Sequence, residues 1–315
     1  MKLYAPSTIK EIREKYGFKI SKSLGQNFLT DKNVIDKIID AMELTPQDLV
    51  IEIGPGLGVL TFEAAQLAGR VIAIEIDKNL IPILEENLAE LENIEIINQD
   101  FIKTNLINIL EQNDIINGRK RKAVKIMGNL PYYITTPIIM KILEERIPAD
   151  SITIMMQKEV ADRIKAEPGS RVYGALSVAV QYYCTVVPVT KVPRDVFYPQ
   201  PKVDSAVLRL DIRKERPVEL VDEDVFFACI RSGFGQRRKT LGNSLVGVCG
   251  LSKESVQAAL ADAGIDSVRR AETLSLVEFA ELANAVAARI SPDLRKAVPE
   301  APEPRKSGAE QREDL

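Results

Sequence analysis

Seven short apolar runs recur between residues 49 and 212: LVIEI (49–53), RVIAIEI (70–76), IEIIN (94–98), AVKIM (123–127), SITIMM (151–156), YCTVVPV (183–189) and AVLRLDI (206–212). Most are continuously apolar rather than alternating, which is how strands read when both faces of their sheet are covered. Helical patterns at 32–42, 58–68, 78–90 and 136–146 sit between them. This alternation predicts an α/β fold, a doubly wound, Rossmann-like sheet of seven strands. About seventeen residues, several of them proline, separate the last two runs. That leaves no room for a helical crossover, so this pair is expected to be antiparallel.

After Arg213 the pattern changes. Helices are expected over 222–233, 236–246, 253–263 and 275–290 with no strand between them, and Ser275 with Glu278 forms a capping-box pair. The expected organisation is a sheet domain over 1–212, a small all-helical domain over 213–290 and a disordered tail over 291–315. The tail carries four prolines and almost no apolar residue. The first 22 residues hold six lysines or arginines against Glu11 and Glu14 and read as a basic arm.

The chain of 315 residues contains no histidine. Ser-His-Asp and Cys-His catalysis and His-based zinc sites are therefore excluded. Cys184, Cys229 and Cys249 are far apart and form no CxxC pair, so no metal is expected. Sparse cysteines suit a reducing cytoplasm. No apolar run approaches a membrane span, and the N-terminus lacks a signal-peptide core. A soluble, cytoplasmic protein is expected. The net charge of -3 does not by itself announce a nucleic-acid partner.

Glu52-Ile53-Gly54-Pro55-Gly56-Leu57-Gly58 follows the first run. Glycines there permit a tight turn and the close approach of a ligand at the carboxyl end of a strand. The spacing is neither G-x-G-x-x-G nor a P-loop. Glu75 ends the second run, where a carboxylate can accept both ribose hydroxyls. Asp100 follows the third and can accept an adenine amino group, with Phe101 over the ring. Turn, Glu75 and Asp100 on successive strands describe a nucleoside pocket with little provision for phosphate. S-adenosylmethionine fits, and NAD is the second choice.

Met127-Gly128-Asn129-Leu130-Pro131-Tyr132-Tyr133 ends the fourth run. A plain strand-stopping turn is one reading. The other is chemical. An exocyclic adenine amine is a poor nucleophile because its lone pair is delocalised. The Asn129 side-chain oxygen and the Leu130 carbonyl can accept its two N–H groups and aim the lone pair at a methyl donor. Pro131 restrains the bend, and Tyr132 can stack on the base.

With these motifs in place the chain resembles the small-subunit (16S) rRNA adenine N6,N6-dimethyltransferases over about residues 16–290. The resemblance rests on SLGQNFL (23–29), EIGPGLG (52–58), NLPYYIT (129–135), VPRDVFYPQPKVDS (192–205) and FGQRRKTL (234–241). It implies a methyltransferase sheet in which Asn27, Leu29, Gly54, Gly56, Glu75, Asp100 and Asn129 hold S-adenosylmethionine. It implies that Asn129, Leu130, Tyr132 and Phe197 receive the target adenine, with Phe197 packing opposite Tyr132. Arg231, Arg237, Arg238 and Lys239 then form an rRNA-contact patch. The implied reaction is dimethylation of two adjacent adenosines near the rRNA 3′ end during ribosome biogenesis, by a monomer whose partner is the small ribosomal subunit. Alternatives are a large-subunit rRNA adenine methyltransferase of the Erm type, a non-catalytic assembly factor on the same fold, and a nicotinamide oxidoreductase.

Overall fold

A computed structural model of the chain describes residues 2–21, 23–112 and 123–290. Lys22 and the tail 291–315 lie outside the described residues. The chain divides into two compact units. One comprises Met1–Glu167 with Leu176–Pro217, the other Pro168–Ala175 with the chain from Val218 onward.

The first unit holds a seven-stranded sheet. Its strands are β2 (Leu49–Ile53), β3 (Arg70–Glu75), β4 (Ile94–Asn98), β5 (Val124–Asn129), β6 (Ser151–Gln157), β7 (Cys184–Val192) and β9 (Ser205–Ile212). A separate two-stranded ribbon joins β1 (Phe28–Leu29) to β8 (Phe197–Tyr198). The helices are α1 (Pro6–Tyr16), α2 (Lys32–Met42), α3 (Val59–Ala65), α4 (Ile81–Asn87), α5 (Leu106–Gln112), α6 (Thr135–Glu144), α7 (Lys158–Ile164) and α8 (Ala175–Tyr183), whose first residue belongs to the second unit.

The sheet order is β4-β3-β2-β5-β6-β9-β7. From β4 to β6 the pairs are parallel, and β9 runs antiparallel to both β6 and β7. The expected antiparallel end pair is present. Its order was not foreseen: β9 inserts between β6 and β7. Chain order moves outward from β2 to β4, then returns to place β5 beside β2. That reversal makes the crevice between β2 and β5 the topological switch point, where open α/β sheets bind ligands. β2 is buried at every residue, Glu52 included, as a central strand covered on both faces requires.

The expected basic arm is a helix rather than a solvated segment. Thr8, Ile9 and Ile12 of α1 are buried. Ile9 and Ile12 cluster with Phe18, Phe28, Leu57, Leu80 and Ile83. Lys15 and Tyr16 both bond Glu86, and Arg13 donates to the Tyr198 hydroxyl at 2.6 Å. An apolar stripe at helical spacing, with Pro6 at the first turn, outweighs the charge that the composition advertised.

In the second unit, α9 (Glu223–Gly235), α10 (Leu241–Ser244), α11 (Lys253–Asp262) and α12 (Leu276–Ala287) pack around Phe226, Phe279 and Leu282, all at most 1% exposed. Its described residues contain no strand, and the Ser275–Glu278 capping box forms. The helix expected over 236–246 shrinks to Leu241–Ser244. Gly235 ends α9, and Lys239 N–H closes a turn on the Gln236 carbonyl at 2.8 Å. The unit begins five residues after the expected boundary at 213 and takes in Pro168–Ala175, a distant stretch without sequence periodicity to mark it.

Candidate active site

The β2–α3 turn opens the crevice. Gly54 and Gly56 adopt φ of +67° and +62°, conformations that side-chain-bearing residues rarely hold. A Cβ on Gly56 would also lie 3.2 Å from the Phe28 ring, so any larger residue would press on β1 as well as strain the backbone. The turn is tied down by Glu75, whose two carboxylate oxygens accept N–H groups from Gly56 at 3.2 Å and Asp77 at 2.8 Å. An ionised carboxylate has about four acceptor positions. The Ile76 N–H also acts on this carboxyl, and the acceptor capacity left over is available to hydroxyl groups of a ligand. Burial pushes the Glu75 carboxyl up, and the Asp77 and Gly56 N–H groups pull against it.

One cavity is walled by Asn27, Leu29, Gly54, Gly56, Glu75 and Asn129, six of the seven residues expected to hold the donor. Its wall also includes Glu52 and Gln26, which motif reading passed over. Glu52 is 1% exposed and accepts the Thr61 hydroxyl at 2.5 Å. Gln26 donates to Asp77 at 2.8 Å and accepts Ser21 N–H at 2.7 Å, bracing the N-terminal loop. Neither signal lay in spacing; both follow from where β2 and β3 end. The wall includes two buried carboxylates and no lysine or arginine. With no cation to meet it, a pyrophosphate is disfavoured there, and a ligand without phosphate is favoured. The residues fit S-adenosylmethionine and disfavour NAD on this ground.

Burial pushes the Glu52 carboxyl from 4.5 up to about 8, Glu75 adding to the rise and the Thr61 hydroxyl opposing it. Folding then takes up a proton that the unfolded chain has released between pH 4.5 and 8. The resulting stability is full below pH 4.5 and is lost as pH rises through 8, by about 1.4 kcal/mol per unit at most. Glu52→Gln should flatten this decline. Thermal melts of the unliganded protein from pH 5 to 8.5 test it, and equal slopes for wild type and variant would refute it.

Asp100 is the exception among donor-site residues. It caps the short turn Phe101–Lys103, accepting Ile102 N–H at 3.0 Å, and does not line the cavity. Its second oxygen accepts no hydrogen bond among the described residues and pairs loosely with Lys103 Nζ at 4.0 Å. The expected cover by Phe101 does not occur: that ring is 5% exposed, because the turn carries it into the core.

Asn129 ends β5 and belongs to the same wall. Its Nδ2 donates to the Asn27 carbonyl at 2.8 Å. The donation fixes the amide so that Oδ1 remains an acceptor. Leu130 N–H bonds Met155, while the turn that follows uses the Pro131 carbonyl to accept Ile134 N–H and the Thr135 hydroxyl. The Leu130 carbonyl accepts no hydrogen bond among the described residues. Two acceptors thus stand free on consecutive residues at the crevice. Tyr132 is half-buried and its hydroxyl bonds Ser205 Oγ at 2.8 Å, which ties the ring to the start of β9.

Phe197 departs from expectation. It is 5% exposed and packs with Leu29, Met127, Met155, Val192 and Val207. Its strand β8 pairs Leu29 with Phe197 and Phe28 with Tyr198. Alternation along a strand then buries Phe197 and leaves Tyr198 39% exposed. The aromatic that leaves a face open beside the fourth-strand motif is instead Tyr133, 61% exposed.

In the second unit Arg231, Arg237, Arg238 and Lys239 are exposed. Arg237 spends its guanidinium on the carbonyls of Arg171 at 2.9 Å and Tyr173 at 3.4 Å. It braces the 168–175 segment through Nη2 and keeps its charge, since carbonyls and no carboxylate accept from it. Arg231, Arg238 and Lys239 form no ion pair among the described residues. Within those residues no cluster of metal-ligating side chains occurs, and no helix is long and apolar enough to cross a membrane.

The family model described as Ribosomal RNA adenine dimethylase matches residues 17–288. The chain is 51% identical over 290 residues to Ribosomal RNA small subunit methyltransferase A of Clostridioides difficile, covering 92% of this chain and 99% of the relative. It is 52% identical over 289 residues to the protein of the same name from Alkaliphilus metalliredigens, with 91% and 99% covered. Among solved structures, a dimethyladenosine transferase from Plasmodium falciparum matches with TM-score 0.68 and 27% identity over 81% of this chain and 95% of that one. The 23S rRNA methyltransferase ErmE matches with TM-score 0.63 and 28% identity over 82% and 99%.

Proposed function

The chain belongs to the ribosomal RNA adenine dimethylase family, and from that premise we propose that it dimethylates N6 of two adjacent adenosines near the 3′ end of small-subunit rRNA. It is an S-adenosylmethionine-dependent enzyme. The observation that carries the reading is Asn129, which closes the carboxylate-lined cavity through Asn27 and presents Oδ1 beside the free Leu130 carbonyl.

The chain's groups divide the work. Glu75 takes the ribose hydroxyls, and Glu52, anchored by the Thr61 hydroxyl, lines the pocket beside it. Asn129 Oδ1 and the Leu130 carbonyl accept the two N–H groups of the target amine. That pulls the nitrogen toward a tetrahedral shape with its lone pair facing the crevice. Bound S-adenosylmethionine supplies a methyl group already activated on a sulfonium. No strong base is needed before attack, since the amine proton becomes acidic only as the new bond forms. Positioning therefore supplies most of the rate.

Tyr132 takes one face of the extruded base, offsetting the unstacking cost of a few kcal/mol. Phe197 acts from beneath, as packing under β1 and β8. Asp100 meets the adenine of the donor through its unbonded oxygen. Arg231, Arg238 and Lys239 contact rRNA phosphates. The protein works as a cytoplasmic monomer on the small ribosomal subunit during its assembly.

Two results test this reading. Labelled methyl groups should enter unmethylated small subunits and not large-subunit rRNA; the reverse preference would support the Erm-type alternative. Tyr132→Ala should raise KM for the subunit about tenfold or more, while Tyr132→Phe, which keeps the ring and loses only the bond to Ser205, should cost about threefold. Equal losses of donor and RNA affinity in Tyr132→Ala would count against stacking.

A further inference from the structure

Phe197 absorbs only part of the VPRDVFYPQPKVDS segment, which also shapes a second concavity. A cleft of about 400 Å³ opens beyond β6 and is lined by three cations, Lys158, Arg194 and Lys202, and two carboxylates, Glu159 and Asp204. Local pairings do not cancel these charges evenly. Lys158 is held by Asp162, and Glu159 by Arg163. Asp204 spends one oxygen on Arg194 N–H at 3.1 Å, and Arg194 Nη1 donates to the Lys202 carbonyl at 3.2 Å. Neither the Arg194 nor the Lys202 side chain has an acidic partner among the described residues. Both are exposed. Two cations without an acidic partner therefore stand on one loop, which also carries Asp195 and Asp204 and whose shape is set by its own hydrogen bonds.

The cleft's position gives that charge a meaning. Asn129 pairs with Met155, two residues before Gln157, where β6 meets the cleft. Strand geometry puts the start of the cleft about 8 Å from Asn129. Gln157 pairs with Ser205, the residue that holds the Tyr132 hydroxyl. A base lodged against Tyr132 with its amine at Asn129 has its flanking phosphates at about that remove. Resting on the adenine-methyltransferase reading, we propose that this cleft seats the phosphodiester backbone beside the target adenosine. Arg194 and Lys202 grip the strand while the base turns inward. Phosphate contacts of this kind fix register and orientation without reading sequence.

Lys202→Gln is the clean variant, since its side chain supports nothing else. Arg194→Gln/Lys202→Gln removes both cations, and Lys202→Arg keeps the charge. Methyl transfer into unmethylated small ribosomal subunits is measured across a potassium chloride series, with S-adenosylmethionine affinity measured by calorimetry. Lys202→Gln should raise KM for the subunit about fivefold with kcat and donor affinity unchanged. The slope of log affinity against log salt should become shallower by about 0.7–0.9 for each phosphate that is no longer neutralised. Lys202→Arg should retain near-normal KM. An unchanged KM and salt slope in the double variant would overturn the proposal, as would a loss in Lys202→Arg equal to that in Lys202→Gln. A wild-type protein that methylates no adenosine in either subunit would instead overturn the functional reading, a distinguishable failure.

Discussion

Asn129→Ala should lower kcat by about 10²–10³-fold or more, while the Kd for S-adenosylmethionine rises less than tenfold. The asymmetry follows from the two ends of one side chain. Oδ1 acts on the target amine and is felt where the nitrogen changes shape, the setting in which a single preorganised polar group is worth about that factor. Nδ2 only braces the Asn27 carbonyl at 2.8 Å, and Asn27 is also held by its own Nδ2 donating to Gly25 at 2.9 Å. The donor wall therefore loses one of its supports and keeps its shape. Asn129→Asp is informative beside it. A carboxylate retains the acceptor but cannot donate to Asn27, so it should lose donor affinity as well. Single-turnover rates with saturating subunits, alongside calorimetric donor binding, separate the effects. Near-normal turnover in Asn129→Ala would remove the role assigned to it.

Glu75→Ala should act on the other substrate, raising the donor Kd by about 10²–10⁴-fold with little change in KM for the subunit at saturating donor. Two hydroxyl groups bonded to a buried carboxylate are worth about 1.5–3 kcal/mol each. The same side chain holds Gly56 and Asp77 in place, so its removal also loosens the turn that approaches the ligand. Glu75→Gln keeps one acceptor and one oxygen for Gly56, and should fall between. A donor Kd within threefold of wild type in Glu75→Ala would contradict the ribose assignment.

The sheet was legible because its signal is local. Most strands are short, largely apolar runs, and in the central ones, β2 and β6 above all, burial on both faces writes itself into consecutive residues. The insertion of β9 between β6 and β7 was not legible, since pairing order depends on contacts between distant segments. The donor wall could be read from glycines and acids at strand ends, where topology leaves few choices. Gln26, Glu52 and Asp77 escaped because their importance comes from hydrogen bonds across fifty residues or from burial alone. Phe197 and the basic arm were misread for one reason. Residue type advertised a surface role, while strand alternation at β8 and the apolar stripe of α1 decided which side faced inward. The bracing of 168–175 by Arg237 was not legible because nothing in the sequence joins it to the carbonyls at 171 and 173.

In the proposed reaction the acid-lined crevice, the Asn129 and Leu130 acceptors and the Tyr132 ring together make N6,N6-dimethyladenosine in small-subunit rRNA. Purified protein, isotopically labelled S-adenosylmethionine and unmethylated small subunits test it directly, with nuclease digestion and mass mapping of the rRNA. The expected product is dimethyladenosine at two adjacent positions near the 3′ end, absent with Asn129→Ala. Label found only in large-subunit rRNA, or on any atom other than adenine N6, would contradict it.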